Sequence, residues 1–211
     1  MKTTKVAIFV LFFCSALFAD QITFSFVSPA GNKTDVMASP SGFAASAVNI
    51  LVTDASSGVS TPLLGLVEIS AGPASSFTVL SSSVLAMFNM GGTPSVSIVD
   101  PITMAPILTG ITNNNSVMLA TYPGGTGAFL AGFQVTFVDL ALLHLASVDP
   151  RGSLGVTFGQ NVVTGNTLTG VVGGGTITII GTPVPEPATL ILFGLGVIIC
   201  SACFRRVSRI R

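Results

Sequence analysis

The side chains able to do chemistry are few in this chain of 211 residues. His144 is the single histidine. A lone imidazole cannot build a multi-histidine metal site. As a general base it would need a nucleophile and an orienting carboxylate brought to it by the fold. A histidine in that isolation is more often a packed or surface residue. Seven acids lie between residues 20 and 183: Asp20, Asp35, Asp54, Glu68, Asp100, Asp139 and Asp149. Two carboxyls at the right separation could act as acid and base on a glycosidic bond. Glu68 is the only glutamate among them, however, and the chain has no Trp to stack on a sugar ring. Asp100-Pro101 and Asp149-Pro150 read as turn starters. Asp35, Asp54, Asp139 and Asp149 lack the alternating spacing of a calcium loop. Cys200-x-x-Cys203 lies in an apolar run without histidine or carboxylate, where two small apolar side chains are the simpler reading. Gly173-Gly174-Gly175 lacks the lysine and following helix of a phosphate cradle and reads as a hairpin turn. No catalytic, cofactor-binding or metal residue is assigned, and the chain is expected not to be an enzyme.

What must position these groups follows from the distribution of charge. Lysine and arginine number 8, as do aspartate and glutamate. Lys2 and Lys5 open the chain, and Arg205, Arg206, Arg209 and Arg211 close it. Residues 20–183 keep only Lys33 and Arg151 against the seven acids, a net of −5. A mildly acidic middle between basic ends is the arrangement of a chain directed to a membrane. It also argues against nucleic acid as a partner, since no run of cations faces a phosphate backbone.

The N-terminus reads as a signal peptide over residues 1–19. Lys2 and Lys5 precede the charge-free run VAIFVLFFCSALF at 6–18, and Ala19 is a small residue before Asp20. Thirteen residues are short for a membrane span but have the proportions of a signal-peptide core. Cleavage is expected between Ala19 and Asp20. An uncleaved anchor or a buried strand is the alternative. Cys14 would leave with the signal, so the exported part has no cysteine and no disulfide framework.

The C-terminus has three parts in order. Pro183, Pro185 and Pro187 break regular structure around Glu186. ATLILFGLGVIICSACF at 188–204 is 17 residues without charge, about 26 Å long as a helix and just long enough to span a bilayer. Arg205, Arg206, Arg209 and Arg211 follow and would hold the tail in the cytoplasm. The segment resembles a PEP-CTERM sorting domain, over residues 183–211 only. Pro185-Glu186-Pro187 matches its motif, 188–204 its transmembrane helix and 205–211 its Arg-rich tail. The resemblance implies recognition by exosortase, a membrane transpeptidase of Gram-negative bacteria. It implies a precursor held at the inner membrane, cut near the motif and passed to the cell surface or an exopolysaccharide matrix. Pro185, Glu186 and Pro187 would then be substrate features, with Glu186 the charge that the protease reads.

Residues 20–182 are expected to form one secreted all-β domain. Polar and apolar residues alternate over 21–26, the period of a half-buried strand. Further candidates are 47–53, 64–70, 76–80, 84–88, 95–99, 116–122, 132–139, 154–158, 167–172 and 176–180. They are short, rich in Val, Ile, Thr and Phe, and bounded by Gly, Pro, Ser and Asn. Residues 139–147 admit a short helix but lean to strand. Asn113-Asn114-Asn115 and the Gly124-Gly125 segment are loops. The spacing predicts an antiparallel β-sandwich, jelly-roll or immunoglobulin-like. Function is expected to be structural or adhesive at the cell surface or in the matrix. A secreted hydrolase acting on matrix polysaccharide or peptide is the alternative.

Overall fold

A computed structural model describes residues 20–27, 36–54 and 60–183. The regular structure there is all strand. In chain order the strands are β1 Asp20–Val27, β2 Val36–Ser39, β3 Gly42–Asp54, β4 Ser60–Ala71, β5 Ala74–Val79, β6 Ser83–Phe88, β7 Val96–Val99, β8 Pro106–Thr112, β9 Ser116–Thr121, β10 Gly127–Val138, β11 Leu145–Thr164 and β12 Thr167–Pro183. The expected signal peptide and C-terminal membrane helix lie outside the described residues. Among the described residues no helix is long and apolar enough to cross a membrane.

Eight strands close a ring through antiparallel pairs: β12, β2, β3, β4, β7, β8, β10, β11 and back to β12. β1 shares the ring position of β2. It lies between β12 and β3 and pairs Phe24 with Ile177 on one side and with Val52 on the other. β9 shares one flank of β10 with β8, pairing Phe129 with Met118. β6 and then β5 extend the sheet outward from β9. This architecture corrects the expected sandwich of two separate sheets. Inward–outward alternation is the same in a sandwich and a barrel, so strand patterns alone do not separate them. The closure is made by two long strands. β11 has 20 residues and β12 has 17, enough to pair with each other and still reach different neighbours.

Gly173–Gly175 is not a hairpin turn. It lies inside β12, joining two expected strands into one. Thr157 pairs with Gly174 and Phe158 with Val172, so Gly173 is an extra residue in the ladder. Such a bulge inverts the facing of everything beyond it. Leu168 and Val172 face inward before it, and Ile177 and Ile179 after it. Gly175 is opposite Phe26, and a Cβ there would strike the Phe26 ring. The turn between β11 and β12 is instead the two-residue loop Gly165-Asn166, with Gly165 at φ +61°.

Other expectations held or shifted by a few residues. The strands expected near 21–27, 47–53, 64–70, 76–80, 84–88, 95–99, 116–122, 132–139 and 154–158 are present. Residues 140–144 form a turn, and strand begins only at Leu145. β2 and β8 had no sequence signal: one is four residues long, and the other starts on a proline and contains Gly110. Asn113–Asn115 and the segment after Tyr122 are loops as expected.

An eight-stranded ring has an interior that side chains just fill. Here phenylalanine does much of the filling, with Phe24, Phe26, Phe129 and Phe133 nearly inaccessible to water. Phe43 stacks on Phe129 at 4.0 Å and 6°, and Phe88 from β6 meets Phe129 edge-on at 6.1 Å. The extension β9–β6–β5 thereby covers one end of the ring.

Candidate functional site

The strand registers put several chain features at the opposite end of the barrel. Asp20 pairs with Gly181, Ile22 with Asp54, and Leu145 with Pro183. Val99, the last residue of β7, pairs with Leu66 midway along β4, and Val138 pairs with Leu108 near the start of β8. The first described residue, the exit of β12 and the turns 100–105 and 139–144 therefore share this end.

Aspartate builds both turns. Asp100 Oδ1 accepts the N–H of Ile102 at 2.7 Å and of Thr103 at 3.2 Å, while Met104 N–H donates to the Asp100 carbonyl at 2.8 Å. The Ile102 N–H, and after it that of Thr103, hold the Asp100 carboxyl below its ordinary range, because both donors favour the charged form. Asp139 Oδ1 accepts Leu142 N–H at 2.9 Å, and the Asp139 carbonyl accepts Leu143 N–H at 3.2 Å. Leu145 N–H then donates to the Leu140 carbonyl at 2.9 Å. Asp139 N–H donates to the Ile107 carbonyl at 2.8 Å and ties the second turn to the start of β8, the strand that follows the first. The side chains left on top are apolar. Ile102 is 80% exposed and Met104 63%, and Leu140 and Leu142 are exposed beside them. Sequence reasoning missed these four. Their signal was an apolar residue placed inside a turn that begins with aspartate, where polar residues are usual.

The chain's exit is held by the same neighbourhood. Ser147 Oγ and Thr182 Oγ1 lie 2.6 Å apart across the β11–β12 ladder. A Cβ on Gly181 would come within 2.9 Å of both Leu145 methyl carbons, so Leu145 packs onto the bare backbone there. β12 ends at Pro183, two residues before Pro185. Pro185, Glu186, Pro187, Arg205, Arg206, Arg209, Arg211 and Ala19 lie outside the described residues. Asp20 is the first residue of β1.

The groups able to do acid–base chemistry are differently placed. His144 is exposed at the end of the second turn, at φ +53°, with its N–H on the Ala141 carbonyl at 3.3 Å. Asp149 Oδ1 accepts Arg151 N–H at 2.8 Å within a bulge of β11. Asp100, Asp139 and Asp149 thus each bind backbone N–H groups within three residues, as turn-forming aspartates do. Glu68 is exposed on the barrel wall, paired across the sheet with Ser46 and Ser97. It lines an open depression of about 580 Å³ with Met37, Ser70, Ser95 and Thr169. Glu68 is the one acid among its lining residues. Among the described residues no three metal-capable side chains gather.

Buried hydroxyls near that depression have structural partners. The Ser95 hydroxyl accepts Thr112 N–H, and Thr112 Oγ1 donates to the Ser70 carbonyl at 3.2 Å and accepts Gly91 N–H at 3.1 Å. They stitch β4, β7 and β8 together. Asn161 is fully buried and donates through Nδ2 to the Thr121 carbonyl at 3.0 Å, while its Oδ1 has no partner.

No curated protein matches the chain, and no solved structure matches its fold. Residues 183–207 match the family model described as the PEP-CTERM protein-sorting motif. The match begins on the last residue of β12, so the sorting segment is joined directly to the barrel. The chain therefore carries a PEP-CTERM protein-sorting motif, the mark of an exported protein that an exosortase processes.

Proposed function

We propose that the protein is a structural or adhesive component of the cell surface or of an exopolysaccharide matrix, delivered there after exosortase cuts near Pro185-Glu186-Pro187. The observation that carries the reading is the sorting motif at 183–207, attached without a spacer to the barrel's final strand. In this reading residues 1–19 direct export and are removed before Asp20. Residues 188–204 hold the precursor in the inner membrane, and Arg205, Arg206, Arg209 and Arg211 keep its tail in the cytoplasm. Glu186 supplies the charge that the protease recognises. The prolines keep the backbone extended and open to attack.

A structural role is supported by the character of the barrel. Its interior is filled by buried phenylalanine and aliphatic side chains. Strands β5, β6, β9 and β10 carry no charged residue, so their polar surface is serine, threonine and glutamine. The hydrolase alternative would need His144 or a carboxylate pair converging on a cleft, and it draws no support from a lone Glu68 at the wall depression.

Intact-mass measurement of the protein from membrane, medium and matrix fractions tests the proposal. The expected mature species begins at Asp20 and ends near Pro187, and it is found in the matrix or surface fraction only when exosortase is active. Full-length protein of the same mass in cells with and without exosortase would overturn it.

A further inference from the structure

We propose that the barrel end bearing turns 100–105 and 139–144 rests on the lipid bilayer while the precursor is anchored, with Ile102, Met104, Leu140 and Leu142 seated among the headgroups and upper acyl chains. The proposal rests on the reading of 188–204 as the membrane anchor and adds an orientation for the folded part.

Three observations support it. The first is the apolar character of the turn tips at the exit end. At the exit end the turns carry Ile102, Met104, Leu140 and Leu142, with Phe137 and Ile180 exposed on the adjoining wall. Exposed apolar residues are also found elsewhere, Leu80 and Met90 in loops toward the far end and Leu119 and Leu130 on the barrel wall. Apolar area held in water is unfavourable by about 25 cal/mol per Å², and the turn tips are the exposed apolar groups that lie at the end from which the membrane tether leaves.

The second is that the exposure is built in. Each turn is fixed by aspartate bonds to backbone N–H groups, and the Asp139 N–H bond to the Ile107 carbonyl holds the second turn to the strand that follows the first. The four tips form a preset apolar contact, and no Lys or Arg lies in either turn. The contact is therefore one with the apolar part of the interface and not with anionic headgroups through charge.

The third is reach. The chain leaves the barrel at Pro183, and the charge-free run begins at Ala188. Those five residue steps span at most about 17 Å when fully extended. The exit end is thus tethered within about 17 Å of the span's start, close to the few ångströms of headgroup layer on each side of the hydrocarbon.

The chain has no Trp, so a single introduced indole reports its own surroundings. Full-length Ile102→Trp and Leu142→Trp are inserted into phosphatidylethanolamine–phosphatidylcholine vesicles, with and without bromine on the upper acyl chains. Val162→Trp, exposed on the barrel wall near the far end, is the control. All three positions are exposed, so the larger ring has room. Both tip variants should emit blue-shifted and lose at least half their intensity to brominated lipid, with no change between low and high salt. Val162→Trp should emit as in water and be unquenched. If the chains float with the vesicles but the tip variants behave like Val162→Trp, the docking proposal fails and the anchor reading stands. Blue-shifted emission that bromine leaves untouched would show the tips packed on a second copy, which also overturns the proposal. Chains that fail to float would overturn the anchor reading and the docking with it.

Discussion

Phe133 stands directly opposite Gly152 in the β10–β11 ladder, and its ring occupies the space where a Cβ of residue 152 would be. The same ring lies against Gly110 of β8, where a Cβ would come within 2.6 Å of its Cδ2. Two further pairs repeat the relationship: Phe26 opposite Gly175 and Phe158 opposite Gly127. Aromatic rings thus lie over bare backbone on neighbouring strands, which lets a narrow barrel hold large side chains.

Gly152→Ala should lower stability by about 1–3 kcal/mol, because Phe133 is buried between two strands and cannot swing away. Urea unfolding of the wild type, Gly152→Ala, Phe133→Leu and the double variant checks this. The double variant should lose less than the sum of the singles, since the smaller side chain vacates the space. Strict additivity would show that the ring does not depend on the glycine.

Deleting Gly173 should abolish the fold. Removing the bulge residue turns Ile177 and Ile179 outward and their neighbours inward. Circular dichroism should show the loss of cooperative melting. A variant that melts like the parent would mean that the facing of β12 is not set at this bulge.

Phe129→Ala should destabilise by about 3–5 kcal/mol, the range for removing a buried ring. Phe43→Ala should do nearly as much. A double-mutant cycle between them should return about 0.5–1.5 kcal/mol of coupling, reflecting their stacked contact at 4.0 Å.

The Asp100 carboxyl should titrate below the ordinary aspartate range, owing to the N–H groups of Ile102 and Thr103. Its folded-state pKa is depressed, so its contribution is complete above the unfolded value and is lost as pH falls through the folded one. The difference in stability between wild type and Asp100→Ala should therefore be constant from neutral pH down to the aspartate range and shrink below it. A carboxyl carbon titration by NMR reads the midpoint directly, and an ordinary midpoint would contradict the turn geometry.

Glu186→Ala should impair cleavage and release, as should replacement of Arg205, Arg206, Arg209 and Arg211 by glutamine, while the barrel's thermal melt stays unchanged. Both sets of residues lie beyond the last strand. Normal processing after either change, read by mass and fractionation, would argue against these residues as the sorting signal.

Local alternation was enough to find most strands, because side-chain facing in a strand is a property of nearest neighbours. It made Phe24 and Phe26 inward-facing and Thr23 and Ser25 less so, as observed. It failed at Gly173–Gly175, where a glycine run suits a turn and a bulge equally well and only the partner strand selects between them. It failed at β2 and β8, which gain their strand character from the neighbours that pair with them. The apolar turn tips were overlooked because an isolated Ile or Leu carries no signal until the fold places it beside another.

Sequence by itself determined the sorting motif, the all-β class and the turn-forming role of Asp100, since each depends on residues adjacent in the chain. Tertiary structure alone decided that the strands close into a ring, that Phe133 covers Gly110 and Gly152, and that the exit at Pro183 shares an end with Ile102 and Leu142. Those relationships join residues far apart in the chain, and nothing local records the hydrogen-bond register that brings them together.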